Sequence, residues 1–164
     1  DRGFSQSDLN LYMPPPQEKV LEMKVERHFF SYYKNWKPQD HYYYAVENTG
    51  FQANPEGRSE GTYSKYASLD DKIDSFHYYF MLLKFGICRA TSDAAHEIRE
   101  GVITREEGVQ LVRRYDTEFP EKSFKVFLDY CDFTEEEFWA ICERWRNLNL
   151  WEKKEGKWIL KYQV

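Results

Sequence analysis

The sequence predicts a mainly α fold, a helical bundle of about five to six helices that ends in a small C-terminal β-hairpin and carries one short strand near its N-terminus. Three observations point there. Apolar residues recur three and four apart from Leu69 through Ile87 and again from Phe138 to Leu148, the stripes of amphipathic helices. Capping signatures, in which Ser or Thr stands three residues ahead of an acid, open at Ser68, Thr104 and Thr134. Beyond a Gly156 turn the pattern changes, and Trp158, Leu160 and Tyr162 alternate as strand residues do.

Taken in order, residues 1–16 show little periodicity, and Pro14, Pro15 and Pro16 stiffen the end of that stretch into an extended form. Residues 17–24 suit one or two helical turns, and residues 25–33, aromatic with broken alternation, are the early strand. Pro38 opens a short helix over 38–48, closed by Asn48, Thr49 and Gly50, with Phe51 placed to pack back on it. Residues 54–61 form a turn-rich loop. Ser68 and Asp71 then cap a helix whose stripe is Leu69, Ile73, Phe76, Phe80, Leu83 and Ile87. Thr91 or Ser92 caps a shorter helix over 93–100, ended by Gly101. Thr104 and Glu107 cap the next, which turns Val109, Val112 and Tyr115 inward, and its Gly108 marks a close helix contact. Pro120 starts a helix that buries some of Phe124, Phe127, Leu128 and Cys131. Thr134 and Glu137 cap the last long helix, with Phe133 and Phe138 as a hydrophobic staple and Phe138, Ile141, Cys142, Trp145 and Leu148 as its stripe. The chain thus divides into an N-terminal border segment, residues 1–60, and a helical domain with its terminal hairpin, residues 61–164.

A chain of 164 residues is long enough for one domain with a proper core. Because Phe, Trp and Tyr make up 18% of it, rings must supply much of the buried area. The net charge of -5, without clustered Lys and Arg, excludes a phosphate-neutralising nucleic-acid surface, so no nucleic-acid partner is expected. Cys88, Cys131 and Cys142 have neither paired nor metal-ligand spacing and read as reduced thiols of a cytoplasmic protein. There is no membrane-spanning run, hence no expected membrane insertion, and no charged leader before an apolar stretch. The start at Asp1, in a loop-like stretch, reads as a piece cut from something longer.

Chemistry-bearing groups gather in residues 61–101. Asp70, Asp74, His77 and Lys84 recur on one helical face, and His96 and Glu97 follow nearby in sequence. With Asp70, Asp74 and His77 they have the residue types of a metal-dependent hydrolase, yet acids in a first helical turn are equally accounted for by the helix dipole. Arg89, ahead of Asp93, gives a helix N-terminus that suits a phosphate or carboxylate, while Ser92 and Asp93 read as well as simple caps. Lys65, Lys72, Arg89 and Arg99, interleaved with the hydroxyls of Thr62, Tyr63, Ser64 and Thr91, compose a cation set for an anionic ligand or a solvated surface. Tyr32, Tyr33, Tyr42, Tyr43 and Tyr44 suit a sugar or base platform, or a ring-rich core. A non-catalytic helical interaction module, binding a partner protein through its aromatic residues, is the alternative to an enzyme.

The ordered series Gly61-Thr-Tyr-Ser-Lys-Tyr-Ala-Ser-Leu-Asp-Asp-Lys-Ile-Asp74, Phe76-His-Tyr-Tyr, Lys84-Phe-Gly, Arg89-Ala-Thr-Ser-Asp-Ala-Ala-His-Glu-Ile-Arg99, Ile103-Thr-Arg-Glu-Glu-Gly, Arg114-Tyr-Asp and Glu135-Glu-Glu-Phe-Trp resembles the C-terminal part of N-acetyl sugar amidotransferases. These are lipopolysaccharide and pseudaminic-acid biosynthesis enzymes of the PP-loop ATP pyrophosphatase superfamily, and the resemblance runs from about Phe29 onward. It implies ATP-dependent conversion of the acetamido group of a nucleotide-linked N-acetyl sugar to an acetamidino group, with ammonia from a separate glutaminase subunit. The superfamily's Ser-Gly-Gly-x-Asp-Ser phosphate loop does not occur in these residues. ATP with Mg is therefore expected on the full-length protein, none is expected tightly bound here, and residues 1–60 are expected to include the edge of the nucleotide domain. The resemblance further implies Lys65, Lys72 and Arg89 as catalytic residues for phosphate or transition-state charge. For binding of substrate it implies Tyr63, Ser64, Asp70, Asp74, His77, Thr91, Ser92, Asp93, His96 and Arg99, with no metal ligand.

Overall fold

A computed structural model describes residues 3–164, which form two compact units divided between Asn35 and Trp36. The first unit carries α1 (Gln6–Leu9), α2 (Gln17–Glu22) and a 3-10 turn at Phe30–Tyr32. The strand expected over 25–33 is not there. The backbone satisfies itself locally instead, with Tyr32 N–H donating to Phe29 O at 2.9 Å and Lys34 N–H to Phe30 O at 3.1 Å. A strand needs a neighbouring edge to take its hydrogen bonds. Among the described residues the sheet is the two-stranded C-terminal hairpin alone, so 25–33 has no edge to join.

The second unit holds the remaining helices: α3 (Pro38–Thr49), α4 (Asp74–Phe85), α5 (Arg89–Arg99), α6 (Arg105–Tyr115), α7 (Phe124–Cys131) and α8 (Glu135–Trp145). The strands β1 (Trp151–Lys154) and β2 (Lys157–Leu160) pair antiparallel, Trp151 opposite Leu160 and Lys154 opposite Lys157. Glu155 and Gly156, both at positive φ, turn that hairpin. The protein is mainly α, as expected, with eight α-helices among the described residues.

Local signals set several of these elements. Pro38 stands at the start of α3 and Gly50, at φ 71°, ends it. Thr104 and Thr134 each accept a hydrogen bond from the backbone of the Glu three residues on, and each Glu reaches back, which fixes the starts of α6 and α8. Gly108 of α6 lies against α5, where an added Cβ would sit 2.7 Å from Ile98 Cδ1.

Other expectations need correction. Helix α4 starts at Asp74, not after Ser68: Ser68 is left-handed at φ 53°, its hydroxyl bonds Asp74 and Tyr78, and Asp71 Oδ1 accepts from Ile73 N–H at 2.9 Å. Leu69 and Ile87 are consequently exposed ends of a stripe whose buried part is Phe76 and Leu83, and Leu82, outside that stripe, is buried beside them. Trp145 and Leu148 are exposed as well. The chain leaves α8 at Arg146, in extended conformation, and Asn147 N–H donates to Leu83 O at 3.1 Å, so residue 148 is no longer on the helix. Tyr162, past β2, is exposed too.

The core is built from rings. Phe76 stacks on Phe127 at 4.1 Å and meets Phe119, Phe124 and Phe138 within 6.0 Å. Trp151 closes this core from the hairpin and donates its indole N–H to Leu83 O at 3.1 Å. Cys88 and Cys142 are buried and free, and burial pushes both thiols up to about 12, which keeps them protonated and unreactive at neutral pH.

Candidate functional site

The loop 58–64 is tied to the α5 end of the unit by ion pairs and backbone bonds. Arg58 makes a two-pronged pair with Glu118, at 2.6 and 2.7 Å, and the same carboxylate accepts from Gly61 N–H at 3.1 Å. Burial works to raise the Glu118 pKa, but the Arg58 and Gly61 donors outweigh it and hold the carboxyl below its ordinary value. Gly61 O in turn accepts from Ala90 N–H at 2.8 Å. Gly61 sits at φ 85°, and a Cβ there would come within 2.7 Å of the buried Cys88 Sγ. Gly61→Ala should therefore destabilise the protein by more than the ~1–2 kcal/mol of left-handed backbone strain alone, measured by urea denaturation. A loss under 1 kcal/mol would show that the loop is not held as described.

The N-terminus of α5 is capped from a distance. Asp116, just after α6, accepts from Cys88 N–H, Thr91 N–H and Thr91 Oγ–H, each at 2.8 Å. Burial raises the Asp116 pKa, against the pull of those donors. This remote cap lets α5 begin at Arg89 rather than at Asp93 and makes Thr91 a structural residue.

With the helix starting there, Arg89, Asp93 and Glu97 fall at i, i+4 and i+8 on one face, and His96 beside them. Arg89 Nε donates to Asp93 Oδ1 at 2.8 Å, and Thr62 Oγ donates to Asp93 Oδ2 at 2.7 Å. Glu97 is 5% exposed, and this buried carboxylate accepts from Tyr63 OH at 3.0 Å and from Gln39 Nε2 of α3 at 3.1 Å. Burial and the Glu97 charge push the Tyr63 hydroxyl well above the usual tyrosine range, so it stays a donor. Arg99 donates to His96 Nδ1 at 3.0 Å, which places the ring proton on Nε2.

These side chains line a cleft between α5, the 63–66 segment and the start of α3. Trp36, Pro38, Tyr63, Ser64, Tyr66, Arg89, Asp93, His96 and Glu97 form it, and it continues past Arg89 toward His41, Tyr42 and Phe51. Tyr42 and Tyr66 stack there at 4.7 Å. Besides Asp93, no other described group pairs with Arg89 by hydrogen bond or ion bridge, so its terminal nitrogens remain available to the cleft. The arrangement offers a guanidinium, two carboxylates, a tyrosine, an imidazole and aromatic walls, donors and acceptors for a polyhydroxylated ligand with an apolar face.

Of the residues singled out from the sequence, the cleft brings together Tyr63, Ser64, Arg89, Asp93 and His96. Arg99 stands behind His96, and Lys65, exposed, lies 5.7 Å from the Tyr42 ring at the edge. The others are elsewhere. Lys72 lines a separate groove with Arg58, Lys122 and Ser123, because the left-handed turn at Ser68 sends 69–72 away from α5. Asp74 accepts from Tyr78 OH at 2.6 Å, Asp70 and His77 are exposed, and Ser92 lies on α5 outside the cleft lining. Among the described residues no three His, Cys, Asp or Glu side chains converge as metal ligands. Asp74 and Glu97 are taken up by the hydrogen bonds above. Glu97, which the sequence offers only as a metal-ligand type, is instead the buried anchor of the cleft; Tyr66 and Asp116 stand in the motif series without a role the sequence assigns, and Trp36 and Gln39 carry no local signal.

No helix among the described residues is long and apolar enough to cross a membrane. Comparison with curated proteins gives no match. Residues 60–163, from the loop that Glu118 anchors through α5 and its cleft to the hairpin, match the family described as LPS biosynthesis protein WbpG-like, C-terminal domain, and the chain belongs to that lipopolysaccharide-biosynthesis family.

Proposed function

We propose that this chain is the C-terminal portion of an ATP-dependent amidotransferase that converts the acetamido group of a nucleotide-linked sugar to an acetamidino group, with ammonia from a glutaminase subunit. The family and the motif series from residue 61 onward favour that reading. The observation that carries it is the cleft, in which Arg89 keeps free donors beside Asp93 and the buried Glu97. Such a site suits the sugar better than the nucleotide. A triphosphate with Mg does not fit it, since one guanidinium faces two carboxylates there and the cleft has no cationic excess. ATP belongs to the remainder of the full-length protein, where it supplies activation of the acetamido oxygen. In the cleft, Asp93 accepts from sugar hydroxyls and the exposed His96 Nε2–H donates to them, the buried Glu97 holds Tyr63 in place, the Trp36 and Tyr66 rings take the apolar sugar face, and Arg89 holds negative charge that develops on the oxygen.

Incubation of the full-length protein with ATP, ammonia and a panel of N-acetylated nucleotide sugars should give, for one of them, a product lighter by the difference between oxygen and an imino group, with AMP formed in parallel. ATP consumption without that product across the whole panel would overturn the reading.

A further inference from the structure

We infer that the end of the bundle where α4 and α8 both finish is a docking face for an anionic phospholipid membrane surface. The two helix ends are held together there. Asn147 N–H donates to Leu83 O at 3.1 Å, its side-chain amide donates to Lys84 O at 3.0 Å, and the Lys84 ammonium lies 5.4 Å from the Trp145 ring centroid. Lys161, just past β2, joins them by donating to Leu148 O at 2.7 Å. Phe85, the last residue of α4, is 65% exposed, Trp145 57% and Leu148 62%. Singly, such side chains are ordinary on a protein surface, but three at one end of a bundle make an apolar patch that calls for a cover. The Trp139, Trp151 and Trp158 indoles each donate to a protein acceptor, whereas the Trp145 indole donates to none among the described residues.

The charge around the patch identifies the cover. Lys84, Lys161 and Arg144 stand there exposed, the Arg144 guanidinium 5.7 Å from the Trp145 ring. Residues 75–92, 144–151 and 156–164, which supply this end, contain no Asp or Glu, although the chain as a whole has 28. Glu143, which precedes Arg144, is taken up by the Trp158 indole at 2.7 Å and by Arg146 at 3.5 Å. A chain of net charge -5 thus turns one positive, ring-bearing end outward. Lys84 and Arg144 also complement the carbonyl ends of their helices, but a dipole does not call for exposed Trp, Phe and Leu beside them. An anionic lipid surface answers both features. Its phosphates attract the cations, whose long stems reach the headgroups, while the indole lies at headgroup level and Phe85 and Leu148 enter the acyl boundary. The contact is made by side chains at the surface, with no helix crossing the bilayer. Its residues do not line the α5 cleft, so the face stands apart from the sugar site.

The test is sedimentation of the full-length protein with vesicles of phosphatidylcholine alone and of an equimolar mixture of phosphatidylcholine and phosphatidylglycerol. The protein should pellet with the mixed vesicles and not with the neutral ones, and salt at about 0.5 M should release it. Trp145→Ala should weaken binding about tenfold. Lys84→Glu with Arg144→Glu should abolish it, whereas Lys125→Glu with Arg105→Glu, an equal change of net charge at exposed positions of α7 and α6, should leave it within about threefold. All the altered side chains are exposed, and matching melting temperatures verify folding; should the Lys84 and Arg144 pair unfold, Trp145→Ala decides. No pelleting with the mixed vesicles, equal pelleting with neutral ones, unchanged binding by Trp145→Ala, or equal effects of the two charge pairs would overturn the inference.

Discussion

Arg89→Ala in the full-length protein is expected to lower amidine formation by about 100- to 1,000-fold, the usual loss when one donor to a developing oxyanion is removed. Folding should hardly change. The ion pair that Arg89 makes with Asp93 is a half-exposed i,i+4 contact, a class that contributes only ~0.3–0.5 kcal/mol, and Asp93 keeps its bond from Thr62. The near-ultraviolet spectrum and melting temperature should therefore match the unaltered protein while turnover collapses. Arg89→Lys keeps the charge but loses the Nε bond that orients it on Asp93, and should recover only part of the rate. Turnover of the alanine variant within a few-fold of the unaltered protein would remove Arg89 from the chemistry and favour a non-catalytic interaction module.

Phe76→Ala is expected to cost about 3–5 kcal/mol, a large share of the ~5–15 kcal/mol by which a domain of this kind is stable. Phe76 is 1% exposed and stands where rings from α7, α8 and the α6–α7 connection meet, stacked on Phe127 and edge-on to Phe119 and Phe138. Removing it opens a cavity that four flat neighbours cannot fill, since each is held by the next ring. Urea denaturation should show a lower midpoint with an unchanged slope. Phe30→Ala, at an exposed ring of the first unit, should by comparison stay within about 0.5 kcal/mol. A Phe76 variant as stable as the Phe30 one would mean that the ring cluster is not the core.

The sequence by itself determined the elements whose signals are local: the capping boxes of α6 and α8, the proline and glycine bounds of α3, and the hairpin with its Glu155-Gly156 turn. In each, the deciding hydrogen bonds join residues no more than a few positions apart, so a linear pattern contains both partners. It also named Tyr63, Ser64, Arg89, Asp93 and His96 of the cleft, because they stand together in one motif series. Only the tertiary structure decided where α5 begins, since its cap is Asp116 from beyond α6, and with that shift Glu97 joined the Arg89 face while Thr91 left it. Only it could separate Lys72 from Arg89, through a left-handed residue at Ser68 that no propensity favours and that bonds to Asp74 and Tyr78 hold in place. The Nε of Arg146, without a hydrogen-bond partner among the described residues, is likewise a tertiary fact. Two tryptophans of the hairpin bring it out of water without giving it an acceptor, and no spacing along the chain encodes a partner that is missing.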